Sequence, residues 1–550
     1  MEKLNKTGCT RLEAAKLMDE FKVSEESLRT FAKNSGVPRT TLQHWNNRIS
    51  NIDLPESTVD FFESAEGQKF LHILYVAMLM VLHECGNASL RCISMFLQKS
   101  QLNHFLPASK TNLQKNAAEL ENVIIAFSEQ EQKRMAASMP SKRITVAQDE
   151  TFPKGVCLVA VEPVSNFIIL EQMVSDRKTE TWDMHMNQAL SGLPVEVIQG
   201  VGDEARSLVK HVTEGLGAHH SPDLFHIQQE LTKAAAAQLK LNIKRNTEEL
   251  EKKKKKVTTE KQKQEKYEKL DIKPKGRPPI FSSRIEKAQA DELEQVEKLI
   301  LANNANDAFI YARHNISSAY HPYSLQSGLP QSPETVEHLL NSAFDKIETV
   351  IEPLADTFKK KAAKARKQIN NMRGTIVFYF TTIAGFLNNK NYNDITRMLI
   401  EDFLIPACYL KKVAGKTKDK TKKYEIELLA DDLMVDYDRR LGLFAMYSEE
   451  ELDDMLKTAE ECADVFQRSS SPVEGRNGQL SLKYHNLHRL SDRKLKCLTA
   501  IHNFEIRRDD GTTAAERFFE SKHQDMFEFL IKKFKLPGRP RMARSDLMVA

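Results

Sequence analysis

The stretch RITVAQDETFPKGVCLVAVEPVSNFIILEQMV, Arg143 to Val174, holds three short runs rich in branched and aromatic side chains: RITVAQ, GVCLVAVEP and NFIILEQMV. Runs of that length between turn residues read as strands, and the tight turn from Pro163 to Asn166 makes the last two an antiparallel pair. Further along, TETWDMHMNQAL (179–190) reads as a helix opened by a threonine cap, with Trp182 in the core, and VEVIQGVG (195–202) reads as a buried strand. ARSLVKHVTEGLG (205–217) reads as a helix closed by glycine, and SPDLFHI (221–227) as one more short strand. The order β-β-β-α-β-α-β predicts a mixed sheet faced by helices.

Outside that window the apolar residues recur every three or four positions, so the chain is expected to be multidomain and mainly α, with one α/β domain. From Gln228 to about Ser469 runs a large helical insertion. It begins with a long segment through the lysine run Lys252–Lys256 and is broken at KPKGRPP (273–279) and HPYSLQSGLPQSP (321–333). Residues 334–371 read as one long helix, and GTIVFYFTTIAGFL (374–387) as a central buried one. The expected organisation is a helical region at 1–138, two halves of the α/β domain at 139–230 and 470–524 flanking the all-helical 231–469, and a basic tail at 525–550. No internal repeat is evident.

A chain of 550 residues and 62.8 kDa predicts about three or four folding units. Lys plus Arg number 80 against 76 Asp plus Glu, so the net charge of +4 names no partner, and any nucleic-acid surface must come from where the charges lie. Seven scattered cysteines without a Cys-x-x-Cys pair argue against a disulfide framework or zinc ribbon and for a reducing cytoplasm. MEKLNKTGCTRLEAAKLMDEF lacks the apolar core of a secretory signal. The longest apolar stretch, Phe70–Cys85, is short of the roughly 20 residues of a span and carries His72, His83 and Glu84, so it reads as a buried core helix with no membrane partner. With no Walker loop or dinucleotide fingerprint, no nucleotide cofactor is expected.

SEESLRTFAKNSGVPRTTLQHWNNR, Ser24 to Arg48, is punctuated like a helix-turn-helix: Ser24 as cap, a turn at Gly36, and Pro38 starting a second helix. That helix would offer Arg39, Thr40, Gln43, His44 and Asn47 to a DNA groove while Val37, Leu42 and Trp45 pack inward. A second candidate pair runs from Ser89 to Leu120, with SKTNLQKN as its outward helix.

Asp149 ends the first strand in ITVAQDETF, and Asp203 follows the fourth in VIQGVGDEA. If those strands are neighbours, both carboxylates reach one pocket while side-chain alternation sends Glu150 and Glu204 elsewhere. A third acid rising from a packed helix would complete a set able to hold two hard divalent cations, which suits magnesium, and the candidate is Glu474 in SSSPVEGRNGQLS. Its neighbours Arg476 and Asn477 would contact DNA phosphate.

The succession QDETF, GDEA with PDLFH behind it, VEGRNGQLS and HNFEIRRDDGTTAAERFF resembles the DDE transposases of bacterial insertion sequences. The resemblance implies an RNase H-like catalytic core similar to retroviral integrases, with Asp149, Asp203 and Glu474 as the three acids. It also implies two Mg2+ or Mn2+ ions, double-stranded DNA as substrate (terminal repeats and target), and a homodimer or larger synaptic assembly on the bacterial nucleoid. Compact members place their last two acids far closer than the 271 positions between Asp203 and Glu474, so Asp223 in SPDLFHI is kept as a rival third ligand. Arg507 and Arg508 would lie near DNA, with Thr512 or Thr513 capping a last helix.

Two weaker features remain. EKKKKKVTTEKQKQEKYEK reads as an exposed charged helix, with phosphate tracking as the alternative. KKFKLPGRPRMAR, with Gly538, Arg539 and Pro540 at its centre, resembles an AT-hook. The competing functions are a non-catalytic DNA-binding regulator or domesticated transposase relative, and a nuclease of the same fold that cuts without joining.

Overall fold

The protein is seen in a computed structural model that describes residues 11–49, 54–151, 155–272, 274, 276–390, 392–441, 446–487 and 490–539. Five strands form one sheet: β1 (Lys142–Thr151), β2 (Val156–Glu162), β3 (Phe167–Val174), β4 (Val195–Gly202) and β5 (His219–Pro222). Their order is β3-β2-β1-β4-β5. The first three strands run antiparallel to one another, whereas β4 lies parallel to β1 and β5 parallel to β4. In β1, Ile144 and Val146 enter one hydrophobic core and Ala147 enters another, so the sheet is covered on both faces. Asn166 takes φ 67° in the turn that joins β2 to β3, a conformation asparagine tolerates better than most residues.

Helices α1 (Arg11–Val23), α2 (Leu28–Ser35) and α3 (Arg39–Ile49) close on a small core of Met18, Phe31, Val37 and Leu42. The cap of α2 is Ser27, which accepts the Thr30 N–H, and not the expected Ser24, whose hydroxyl instead donates to the Phe21 carbonyl behind it. Next come α4 (Glu56–Glu63), α5 (Ala65–Ala77, running on as a π-type segment through Met78–Cys85), α6 (Leu90–Lys99) and α7 (Lys110–Ser138). Among the described residues, Ala65–Cys85 is the one helix long and apolar enough to cross a membrane. Here Leu71, Tyr75, Val76 and Leu79 are buried in the main core, and Glu84 in its last turn is buried against Lys494. Helix α7 is a core helix as well: Leu113, Leu120, Ile124 and Phe127 face inward, and the outer side of SKTNLQKN is one part of an exposed face that continues through Asn122, Glu129 and Lys133.

Helices α8 (Thr179–Leu190) and α9 (Arg206–Lys210) flank β4 in sequence. The helical excursion comprises α10 (Leu224–Glu268), α11 (Phe281–Ala319), α12 (Pro333–Ile351), α13 (Asp356–Arg366), α14 (Ile369–Asn388), α15 (Asp394–Leu399), α16 (Ile405–Lys416), α17 (Lys420–Leu441) and α18 (Glu449–Asp464). It has its own core, in which Phe309, Phe344, Tyr379 and Phe466 are buried. Two expectations fail in this region. SPDLFHI is not a strand, because β5 stops at Pro222 and Asp223 caps α10 by accepting the Phe225 N–H at 2.8 Å. Residues 334–371 are not one helix: Pro353, lacking an N–H, falls in the break between α12 and α13, and α14 begins only at Ile369.

The chain returns through α19 (Ser471–Leu487), α20 (Asp492–Phe504), α21 (Ala514–Phe519) and α22 (Met526–Lys533). Val473 and Leu480 of α19 cover the Ala147 face of the sheet. Thr513 caps α21 in a reciprocal bond with Glu516. The expected basic tail starts later than 525, since Met526, Phe529, Leu530 and Phe534 are buried in the main core.

Candidate metal centre

Ala147 of β1 pairs with Val201 of β4 in parallel register, so Asp149, still paired with Val159 of β2 and two residues short of the end of β1 rather than at it, lies level with Asp203, the first residue past β4. Close approach depends on glycine: a Cβ at Gly202 would lie 2.6 Å from Leu208 Cδ2 and 3.1 Å from the Gln148 carbonyl. Alternation puts Asp149 on the face of Ala147, against α19, where Glu474 sits in the first turn. Single ligand atoms of Asp149, Glu474 and His226 all lie within 4.8 Å of one another. Asp203 is not part of that cluster: one of its carboxylate oxygens accepts the Ala205 N–H at 3.0 Å, and it reaches Asp149 electrostatically.

Burial pushes the Asp149 carboxyl up to about 7, and the charges of Glu474 and Asp203 push the same way, against a backbone N–H of Glu150 and the His226 ring. Asn477 Nδ2 donates to Asp149 at 2.8 Å and holds it. His226 Nε2 is buried without a hydrogen bond, 3.4 Å from Glu474 and 3.6 Å from Asp223. Among the described residues no lysine or arginine forms an ion pair with Asp149, Asp203 or Glu474. Converging acids without a cationic side chain, beside an imidazole nitrogen without a donor, fit a divalent cation. The mixed oxygen and nitrogen donors suit Mn2+ at least as well as Mg2+.

Asp223, the rival ligand, is committed elsewhere: it caps α10 and accepts both the N–H and the hydroxyl of Ser470. Three expected DNA contacts are corrected. Arg476 forms a buried two-pronged ion pair with Glu171, both bonds 2.7 Å, which Thr499 completes, so it is shut away from DNA. Asn477 serves Asp149. Arg539 pairs with Glu63 of α4, which removes the central arginine of the hook motif from any groove, and Pro540 lies outside the described residues.

Arg507 is exposed but bonds the Gly511 carbonyl at 2.7 Å, and Arg508 is exposed with one long bond of 3.4 Å to Val164. Arg39, Thr40, Gln43 and His44 all lie exposed on α3, while the Asn47 side chain is outside the described residues. Glu150 does turn away, accepting bonds from Trp182 and Arg177. The lysine run of α10 is largely neutralised by Glu249, Glu251 and Asp291. His226 is the residue that sequence reasoning missed as a ligand. Its signal was available, since a helix capped at Asp223 puts position 226 on the same side one turn on.

The model of a family described as a family of unknown function, DUF6399, matches residues 400–546, a stretch that includes Glu474 but neither Asp149 nor Asp203. No curated protein and no solved structure matches the chain.

Proposed function

We propose that this protein is a DDE-type transposase, a metal-dependent phosphoryl transferase acting on double-stranded DNA. The observation that carries the reading is the convergence of Asp149, on the central strand, with Glu474 from a helix separated from it by the whole insertion, with Asp203 just past the neighbouring parallel strand. The strand order β3-β2-β1-β4-β5, with β2 antiparallel to its neighbours, supports an RNase H-like core. The exposed outer side of α3 supports a groove-reading role for the N-terminal helices.

A pair of Mg2+ or Mn2+ ions at such a site supplies activation of the attacking water or 3′-hydroxyl and stabilisation of the leaving oxygen. Asp149, Glu474 and His226 would hold one ion, and Asp203 with Asp149 the other. Asn477 keeps Asp149 aimed into the site, and the Asp223–Ser470 clamp fixes where α19, and with it Glu474, begins. The DNA partners would be the ends of the element and its target, brought together by two or more protein copies.

The test is a labelled duplex carrying the sequence that flanks the gene, incubated with protein and manganese or EDTA and scored for nicking and joining. Manganese-dependent nicking at a 3′ end followed by joining is expected, and Asp149→Ala or Glu474→Ala should lower it at least 10³-fold while duplex binding persists. A fully active Glu474→Ala protein would sink the assignment. Binding without cleavage would move the reading to a regulator, and cutting without joining to a nuclease.

A further inference from the structure

Helix α13 reads DTFKKKAAKAR and is followed at once by Lys367. Ala362 and Ala365 bury its inner side in the insertion core. Two of its cations are neutralised within the insertion: Lys359 by Glu352, and Arg366 by Asp345 and Glu348. Lys360, Lys361, Lys364 and Lys367 are all exposed, and among the described residues none forms an ion pair. At 100° per residue the four lie within an arc of about 120°, and they span about 10 Å of helix axis. That span is comparable with the axial rise of about three base pairs of a duplex, at about 3.4 Å each.

The position of this stripe gives it meaning. Lys367 begins the short corner between α13 and α14, four residues before Asn371. Asn371 lies beside Glu204, which directly follows Asp203 in the site loop, and Thr375 one turn on donates to Ser221 of β5 at 3.1 Å. Lys364 is near enough to Glu204 to act on its carboxyl electrostatically. The stripe of four exposed lysines therefore reaches, at Lys364, the loop that carries Asp203. Four like charges in a row repel one another, and among the described residues no acid is ion-paired with any of them, Glu204 acting on Lys364 only at longer range, although α12 beside them supplies acids to Arg366.

We propose that Lys360, Lys361, Lys364 and Lys367 form a phosphate-binding track that holds the backbone of duplex DNA against the mouth of the carboxylate site. The inference rests on the phosphoryl-transfer reading for what the track serves, but the binding itself is measured separately.

Full-length protein is titrated against a labelled 30-base-pair duplex of arbitrary sequence in EDTA, over a series of salt concentrations. Replacing all four lysines by glutamine should flatten the log affinity against log salt slope by about 3, since each engaged phosphate contributes about 0.9. Replacement by arginine should restore it, and unchanged thermal unfolding of both variants excludes a folding defect. An unaltered slope in the glutamine variant, or a wild-type protein without duplex affinity, overturns the track. Asp149→Ala separates the two claims. If that variant binds fully through the lysines while the wild type never cleaves in manganese, the transferase reading falls and the track stands. Normal cleavage with an unchanged slope in the glutamine variant gives the reverse.

Discussion

Asp149 is the residue on which the site's electrostatics turn. Its carboxyl holds a proton up to about pH 7 in the fold but only to about 3.8 unfolded, so the native state binds the extra proton between those values. Its contribution to metal-free stability is therefore present below about pH 4 and lost as pH rises to about 7. Asp149→Asn should unfold at nearly the wild-type temperature at pH 4 and increasingly above it by pH 7.5 in EDTA, with Mn2+ closing the gap. Parallel melting curves across that range would show that Asp149 ionises normally. Arg476 gives a contrasting case. Arg476→Met should cost about 3–5 kcal/mol, because it strands Glu171 in the core, yet leave the salt dependence of DNA binding unchanged, as chemical unfolding and duplex titration would show.

At the scale of elements, strand β4 owes its closeness to β1 to glycines. Gly202→Val should cost about 1–3 kcal/mol by overpacking against Leu208, and should lower nicking further by prising Asp203 from the level of Asp149; chemical unfolding and nicking rates read the two effects. On β5, His219 stacks face to face on Phe378 of α14 at 4.5 Å, and burial pushes its ring down to about 4. The unfolded ring takes up its proton near 6.5, so this seam is stable above that pH and weakens as pH falls towards 4. Hydrogen exchange in β5 and the middle of α14 should accelerate over that interval, and less so in His219→Phe.

The elements that sequence made legible were those with strong periodicity: β1 to β4, the capped helices and the core helix at Phe70–Cys85. The approach of Glu474 to Asp149 was anticipated from a family-like motif, whereas His226 as the third group of that cluster was not. SPDLFHI was not legible, since four apolar or aromatic residues in seven suit a strand as well as a helix start, and only the bond from Phe225 to Asp223 decides. The Arg476–Glu171 pair joins residues 305 positions apart and has no local signature at all.

At the scale of the molecule, the insertion leaves and rejoins the α/β domain at one point. The Leu224 N–H donates to the Arg468 carbonyl at 3.0 Å, and Asp223 grips Ser470. Asp223→Ala should therefore do more than remove a helix cap: it should free the start of α19, expose the Arg468–Ser471 junction to limited proteolysis and lower nicking, with duplex binding little changed. That joined point also gives the site a timetable. Asp149 and Asp203 leave the ribosome early, but Glu474 follows Asp203 by 271 residues, about 15–50 seconds at ordinary elongation rates. On the proposed function, the nascent chain throughout that interval would carry its N-terminal groove-reading helix and two of the three acids, yet should not cut. On the same reading a truncated product released from an aborted message should bind DNA without breaking it, and the length of the insertion would then act as a safety catch on the genome that encodes it.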